Sequence, residues 1–268
     1  MNMYKPTLSL TLCLIPLLSI SLSASPVKAT TITFEAPGKV SALSAVGTTT
    51  QVDFNSLNPG QQGYNYTYND VSGINVRANY DIVNVYGYPG GSTTAGADNT
   101  KFISQFSSGA PDSTNVATTT LSFTNTADNS SVGINYFGMF WSSLDVGNQL
   151  QFYNGNTLLN TLNITNIPAL LGNNTSFIGG PYNQYSAFFN FYADNNLSFT
   201  RIVFTETLVN NGFESDNHTF RIPDALVRTG TPVTNGLTGV PEPSLMVPMV
   251  SLMACFFALS VYKKRVLG

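Results

Sequence analysis

Polar and hydrophobic residues alternate with a period of two through most of residues 30–228. Runs rich in β-branched and aromatic residues, each bounded by Gly, Pro, Asn or Asp, predict strands because this pattern suits a half-buried sheet. They lie at residues 31–35, 51–55, 74–78, 81–86, 118–124, 149–153, 156–165, 187–193, 199–207 and 219–227. Residues 132–141 are almost entirely hydrophobic, which is typical of a central strand covered on both faces.

Turn residues separate these runs. Asn154-Gly155 predicts a tight hairpin, since a type I′ turn needs positive φ at both central positions. Residues 166–183 contain Pro168 and Gly179-Gly180-Pro181 and predict a loop, and Pro223 predicts an edge or a bend in the last strand.

No amphipathic helix is evident. We therefore predict an all-β fold, an antiparallel β-sandwich of jelly-roll or lectin-like type, because many short strands need two packed faces.

The first 29 residues predict a secretory signal peptide. Lys5 precedes a short apolar segment at residues 8–22, and Val27-Lys28-Ala29 places small or permissive residues before a cleavage point. We expect the secretory translocon to export the chain and signal peptidase to cut after Ala29, with Ala24 as the alternative. The exported domain then spans residues 30–228.

The C-terminal residues predict a membrane anchor. Residues 245–262 contain no charged residue and no His, and as a helix they would extend roughly 27 Å, enough to cross a bilayer's hydrocarbon core. Lys263, Lys264 and Arg265 follow and act as a basic stop-transfer signal, since clustered cations mark the cytoplasmic flank. Residues 229–239 have little to bury and predict a flexible linker.

Residues 240–244, Val-Pro-Glu-Pro-Ser, precede this transmembrane helix. Pro241 and Pro243 fix φ and remove two backbone donors, so Pro241-Glu242-Pro243 should be extended and accessible. Motif, apolar span and basic end, over residues 240–268, resemble the PEP-CTERM sorting domain. The resemblance implies that the chain is a substrate of exosortase, a membrane-embedded processing enzyme of Gram-negative bacteria that make exopolysaccharide. The plain alternative is an ordinary single-pass anchor.

Composition narrows the function classes. Only 9% of residues are charged, and residues 30–239 contain six basic and thirteen acidic residues, a net charge of −7. A surface of that sign repels phosphate backbones, which excludes nucleic-acid binding. Cys13 and Cys255 both lie in the apolar terminal segments, so the exported region has no disulfide and no thiolate chemistry.

A second resemblance covers about residues 131–228. Residues 137–145 and 148–155, in which Trp and Asp precede a strand ending in Phe-Tyr-Asn-Gly, are similar to segments of exosortase-dependent surface proteins. Residues 199–204, leading to 213–217, extend the likeness. It implies a lectin-like or carbohydrate-binding β-sandwich.

Glu214 and Asp216 form a close acidic pair, with Asn217 beside it. Residues i and i+2 of a strand share a face, so these oxygens, together with Asp145, could hold a structural Ca²⁺. The alternative is a set of solvated edge residues. The pair is a poor glycosidase pair, because neighbours on one strand do not flank a scissile bond.

Trp141, Tyr182 and Tyr185 are candidate sugar contacts, with a core position as the alternative for Trp141. His218 is the only histidine, which excludes His-rich metal sites and weakens a serine hydrolase.

We therefore expect a non-enzymatic surface or biofilm-matrix protein. It would be anchored transiently in the inner membrane, processed by exosortase, and would associate with exopolysaccharide. The alternatives are a secreted polysaccharide-active enzyme on a lectin-like fold and a structural protein without a discrete ligand.

Overall fold

The computed structural model describes residues 30–43, 46–86, 101–107, 117–179, 184–194, 196–209, 211–222, 228–234 and 237–238. These residues form sixteen strands, one short α-helix and a 3₁₀ turn at Thr175–Phe177. The helix is α1 (Ile167–Leu170). The strands are β1 (Thr30–Phe34), β2 (Thr50–Val52), β3 (Gly60–Asn69), β4 (Asn75–Tyr86), β5 (Phe102–Ser107), β6 (Thr118–Asn125), β7 (Tyr136–Ser143), β8 (Asn148–Asn154), β9 (Thr157–Ile164), β10 (Ile178–Gly179), β11 (Gln184–Tyr185), β12 (Ala187–Ala193), β13 (Arg201–Glu206), β14 (Asn211–Arg221), β15 (Thr231–Pro232) and β16 (Leu237–Thr238).

Fourteen of these strands form one antiparallel sheet, in which twelve follow the order β15-β1-β12-β7-β14-β5-β4-β6-β13-β8-β9-β16. In the same sheet β2 pairs with β14, and β3 pairs with β4. The β10 and β11 strands form a separate hairpin. The prediction of an all-β, antiparallel fold is confirmed.

The sheet curls until its two ends approach each other. β15 and β16 stand at opposite ends of the strand order, yet only four residues separate Pro232 from Leu237. Five extended steps of chain reach at most about 18 Å, so the two ends of the sheet lie within that distance. The two halves of the sheet face each other across a shared core, in which the Phe137 ring lies 5.9 Å from Phe204 and the Phe152 ring 5.0 Å from Phe191.

Alternation along the strands supplies that core. Leu121 and Phe123 of β6 and Ile202 and Phe204 of β13 are buried, while the residues between them are half-buried on the opposite face. β7 is buried on both faces, as its continuous hydrophobic run predicts. Burial of this apolar surface is the main force that holds the two layers together.

Several strand boundaries differ from those predicted. The runs 74–78 and 81–86 form one strand, β4, because pairing with β3 and β6 carries the ladder through Asn79 and Tyr80. The predicted strand 219–227 begins earlier, at Asn211, and its described part ends at Arg221. The pattern failed to predict β3 and β5, since polar amide and hydroxyl residues fill half of each strand.

The predicted hairpin is present, with its turn shifted by one residue. Asn154 pairs with Thr157, so Gly155 and Asn156 are the two central residues. Of these two, Gly155 alone has positive φ, at 56°. Positive φ at the first central position is the pattern of a type II′ turn, which places glycine there.

Part of the range predicted as a flexible linker lies against the sheet. Thr231 and Pro232 pair with Phe34 and Thr33 of β1, and the backbone N–H of Val233 donates to the Ile32 carbonyl at 3.0 Å. Arg228, just before this segment, forms an ion pair with Asp194. Leu237 and Thr238 pair with β9 at the other end of the sheet. The edge strands β1 and β9 have unpaired backbone N–H and C=O groups, and this segment pairs with them. The composition of the segment did not predict this pairing.

A buried set of hydrogen bonds holds the same segment, and we call it the Asn190 network: Thr33, Glu35, Tyr136, Asn190 and Thr229. The Asn190 amide donates to Thr33 Oγ1 at 3.1 Å and to Glu35 Oε1 at 2.8 Å, and its Oδ1 accepts from Tyr136 at 2.7 Å. Thr229 also donates to Glu35. The network therefore ties the segment after Arg228 to β1, β12 and β7.

The terminal predictions concern other parts of the chain. The signal peptide with its cleavage after Ala29, the motif at 240–244, the span at 245–262 and the basic residues 263–265 all lie outside the described residues. Among the residues that are described, no helix combines the length and hydrophobicity needed to cross a membrane.

Candidate functional site

One broad surface is formed by the outward-facing residues of β4, β6, β13, β8 and β9, and we call it the polar face. Residues that pair directly across an antiparallel sheet share a face, so the strand register defines its members. Twelve half-buried members are Arg77, Asn79, Thr120, Ser122, Thr124, Gln149, Gln151, Tyr153, Asn163, Arg201, Val203 and Thr205, and the same register adds the exposed Thr118 and the buried Thr161. All twelve are half-buried, as expected of side chains standing side by side on a sheet.

Hydrogen bonds across the strands orient these side chains. The Asn79 amide donates to Thr124 Oγ1 at 3.1 Å, and the Gln149 amide donates to Asn163 Oδ1 at 2.6 Å. At one end of the face the hydroxyls of Thr118 and Thr205 lie 3.3 Å apart. These ties hold amide and hydroxyl groups in fixed positions, which lowers the entropy cost of binding a ligand.

The centre of the face carries an aromatic and a guanidinium group. The Arg201 guanidinium carbon lies 4.0 Å from the centroid of the Tyr153 ring, a cation–π arrangement. The Tyr153 hydroxyl donates to Gln151 Oε1 at 3.2 Å. Together the three side chains present hydrogen-bond donors and acceptors around one planar group.

The charge of the polar face differs from that of the chain. None of its twelve half-buried residues is acidic, and Arg77 and Arg201 are two of the six basic residues between residues 30 and 239. At its margin, Asp81 uses Oδ1 to accept the N–H groups of Ile82 and Thr120, both at 2.7 Å. The net charge of −7 is therefore carried elsewhere. Amides, hydroxyls and two guanidinium groups suit an uncharged ligand rich in hydroxyls.

Trp141 was predicted to be a sugar contact or a core residue, and it is a core residue. Its side chain is fully buried and stacks on Phe213 with ring centroids 4.4 Å apart. Its indole N–H donates to Asn148 Oδ1 at 3.0 Å. Tyr185 is half-buried and pairs with Ile178, whereas Tyr182 lies outside the described residues.

The four residues of the predicted calcium site do not form a metal-binding group. Asp216 is fully buried, with Oδ1 accepting the Asn217 N–H at 2.7 Å. The Asn217 side-chain oxygen Oδ1 accepts from the Gln51 amide at 2.8 Å. Glu214 is half-buried opposite Ser143. Within the parts of the chain that the structure describes, no three His, Cys, Asp or Glu side chains are placed to hold a metal ion together.

A bulge explains this result. The register of β14 against β7 shifts between Glu214 and Ser215 and again between Asp216 and Thr219, where Asn217 takes a φ of 51°. The simple rule that residues i and i+2 share a face fails at a bulge, which re-aims the side chains around it. Stabilisation by Ca²⁺ stays a prediction, checked by melting the chain with and without a chelator.

The structure instead places Asp145 near Glu206, a pairing that the sequence did not predict. Asn148 lies between them: its amide donates to Glu206 Oε2 at 2.6 Å, and its Oδ1 accepts the Asp145 backbone N–H at 2.9 Å. Burial raises the pKa of the Asp145 carboxyl group. Burial, with a smaller contribution from Asp145, also raises the pKa of Glu206. No local motif links these residues, because they come from different strand ends.

His218 is part of the core. Its Nδ1 lies 3.0 Å from the Tyr80 hydroxyl, its Nε2 lies 3.0 Å from Ser215 Oγ, and its ring stacks on Phe204. His218 and both of its polar partners are buried, and burial lowers the pKa of His218 to about 3. Although Ser215 and His218 are within hydrogen-bond distance, a substrate has no path to them in this geometry.

Comparison with known proteins adds no relative: no family model, no curated protein and no solved structure matches the chain.

Proposed function

We propose that this chain is an exported bacterial surface or matrix protein that is processed at Pro241-Glu242-Pro243 by an exosortase. Three elements in the order motif, apolar span and basic end carry the proposal. Pro241 and Pro243 fix φ and remove two backbone donors, which suits an extended peptide that a membrane-embedded enzyme can reach.

Mass spectrometry of the protein recovered from the cells that make it tests the processing step. The mature protein should begin at Thr30 and lack residues 245–268. Changing Pro241 and Glu242 to Ala should leave the tail attached and the protein in the inner membrane. Identical maturation of the parent and this variant would contradict the sorting proposal.

We further propose that the jelly-roll-like or lectin-like sandwich binds exopolysaccharide without cleaving it, through the polar face. The support is chemical. Neutral sugars present hydroxyl groups that pair with amides, hydroxyls and guanidinium groups, and an aromatic ring adds a planar contact. The absence of carboxylates among the twelve half-buried residues of the face also removes repulsion of any acidic substituent.

Retention of the full chain on immobilised neutral and acidic polysaccharides tests this binding. Arg201→Ala should weaken retention about tenfold, because it removes donors and uncovers the Tyr153 ring. Lys39→Ala is the matched control, since Lys39 is an exposed cation in the loop after β1 and its loss changes the net charge equally. An equal loss of retention in both variants would indicate charge attraction alone.

The second candidate function, a polysaccharide-active enzyme, rests on Asp145 and Glu206. Glycoside hydrolysis uses a pair of carboxyl groups, of which the general acid has a raised pKa, and here Asp145 of the β7–β8 loop lies near Glu206 at the end of β13. Detection of new reducing ends separates the two functions. Glycan retained without new ends supports binding, whereas new ends that disappear in Glu206→Gln support the enzyme.

A further inference from the structure

Within the described parts of the chain, the strand β3 has one long edge without a neighbouring strand. Among the residues that the structure describes, β3 pairs with β4 along one side and with no strand along the other. The strand is ten residues long, and its residues alternate between exposed and half-buried. A row of backbone N–H and C=O groups along an exposed strand is a template for pairing with another extended chain.

The usual protection of such an edge is weak here. Natural edge strands discourage pairing with charged side chains, proline or bulges. β3 contains no charged residue and no proline, and its one register shift lies near its start, between Gln62 and Tyr64. From Tyr64 to Asn69 the strand pairs regularly with β4. Most of this edge is therefore regular and open.

Aromatic packing holds the edge in place. Tyr64 stacks on Tyr80 with centroids 5.9 Å apart, and Tyr68 stacks on Phe220, also at 5.9 Å. Tyr66 lies between them and stacks on Tyr68. With this row directed toward the core, Asn65 and Thr67 are exposed on the opposite face. Little backbone entropy remains to be lost when a partner strand arrives, since the edge is already ordered.

We propose that β3 is a self-association site, where the β3 strands of two copies pair antiparallel around a two-fold axis at Tyr66. In that register Tyr64 lies opposite the partner's Tyr68, and Asn65 lies opposite the partner's Thr67. Cross-strand aromatic pairs and polar pairs both stabilise antiparallel sheets. An isologous contact of this kind closes as a dimer and does not extend into a fibre.

The self-complementary register around Tyr66 favours a second copy as the occupant, and charge does not oppose it at this edge. Each exported region carries a net charge of −7, which opposes association of two copies through most surfaces. The β3 edge is an exception, because neither strand brings a charge opposite another. Lys and Glu substitutions at the exposed positions Asn65 and Thr67 can therefore control the pairing without disturbing the tyrosine row.

Sedimentation velocity of the full chain over a concentration series, in one mild detergent, tests the proposal. The parent should form a dimer as concentration rises. In N65K/T67K the new lysines of one copy lie opposite those of the other, and dimerisation should weaken at least tenfold, as like charges directly opposite destabilise a sheet. In N65E/T67K opposite charges meet at the same places, and dimerisation should return to within about threefold of the parent.

Each result has a clear consequence. Thermal melting of N65K/T67K and N65E/T67K should agree, because both carry T67K opposite Arg77 of β4, and both should melt within about 2 °C of the parent since the two positions are exposed, which shows that folding is intact. A parent that stays monomeric at its highest soluble concentration overturns the proposal. So does equal dimerisation of N65K/T67K and the parent, which would place the contact elsewhere. Failure of N65E/T67K to recover overturns the register centred on Tyr66.

Discussion

The edges at β1 and β3 belong to the same sheet but differ in whether a described strand lies outside them. Outside β1 lie Thr231 and Pro232, held by the Asn190 network and by the ion pair of Arg228 with Asp194. Outside β3 no described strand lies, and the strand itself is held from within by its tyrosines. A later segment of the chain covers the β1 edge, whereas no strand among the described residues covers the β3 edge.

The difference shows how a covered edge is built. Pro232 lacks a backbone N–H and cannot donate a hydrogen bond to a further strand, so the sheet ends at β15. Covering β1 also requires the close approach of Gly230 to Phe34 and a buried polar network beneath it. No comparable set of contacts exists at β3 among the described residues. Variants can test each side of this comparison.

The largest loss of stability is expected from a variant beneath the covered edge at β1. Asn190→Ala removes the partner of Thr33, Glu35 and Tyr136 at once, and buried polar groups that lose their partners are costly. We expect the free energy of unfolding to fall by about 3 kcal/mol in urea titrations. Asn65→Ala, on the exposed face of β3, is the control and should change it by less than about 0.5 kcal/mol. Equal values for the two variants would show that the network does not stabilise the fold.

The interior between the two edges should respond to acid through His218. Its folded pKa of about 3 lies below the ordinary value of 6.5, so the unfolded chain binds a proton first as pH falls. Stability from this group is complete above pH 6.5 and is lost progressively toward pH 3. Between pH 7 and 4.5 the loss should be about 2–3 kcal/mol.

His218→Gln isolates that response. Asp145 and Glu206 act in the opposite direction, because their raised pKa values mean that the folded chain holds their protons more tightly as pH falls. The difference between parent and variant cancels this contribution. Melting temperatures from pH 7 to 4.5 should fall less steeply in His218→Gln, and parallel curves would contradict a buried neutral histidine.

Gly230→Ala should loosen the covering segment directly. Gly230 has a φ of 82°, and an added Cβ would lie 2.6 Å from the Phe34 carbonyl oxygen. Gly38→Ala is a close control, since Gly38 has a φ of 80° and nothing lies within 4 Å of an added Cβ. Gly230→Ala should cost about 1 kcal/mol more than Gly38→Ala, and hydrogen exchange at Val233 should accelerate. Equal losses of stability in the two variants would show that positive φ, and not the contact with Phe34, causes the loss.

The smallest effect on stability is expected at β3. N65K/T67K should shift the free energy of unfolding by less than about 0.5 kcal/mol, since both side chains are exposed. The same variant should change association strongly, as described above. A large loss of stability in N65K/T67K would mean that another segment of the chain packs on these two side chains.

Local pattern predicted much of this molecule. Period-two alternation placed β1, β6, β8, β9, β12 and β13 to within about two residues, and Ala187–Ala193 has the bounds predicted for it. Alternation works because one face of each strand must be buried. It failed at β3, where tyrosines alternate with Asn and Thr, and at β14, where the acidic residues 214 and 216 lie inside a long strand.

The polar face could be predicted only in part. Each strand shows which residues point outward, but strand order decides that β4, β6, β13, β8 and β9 lie side by side. Non-consecutive strands meet there, so the twelve residues become neighbours only after the chain has folded. The same holds for Asp145 and Glu206, which are joined through Asn148.

The sequence alone determined the all-β class and the alternating core, and it predicts a signal peptide and a sorting segment at the two termini. Each of these depends on residues that are neighbours in the chain. The tertiary structure alone decided which edges are covered, where the bulge at Asp216 re-aims its side chains, and which polar residues share a surface. Those features depend on contacts between residues far apart in sequence, and such contacts leave no periodic signal along the chain.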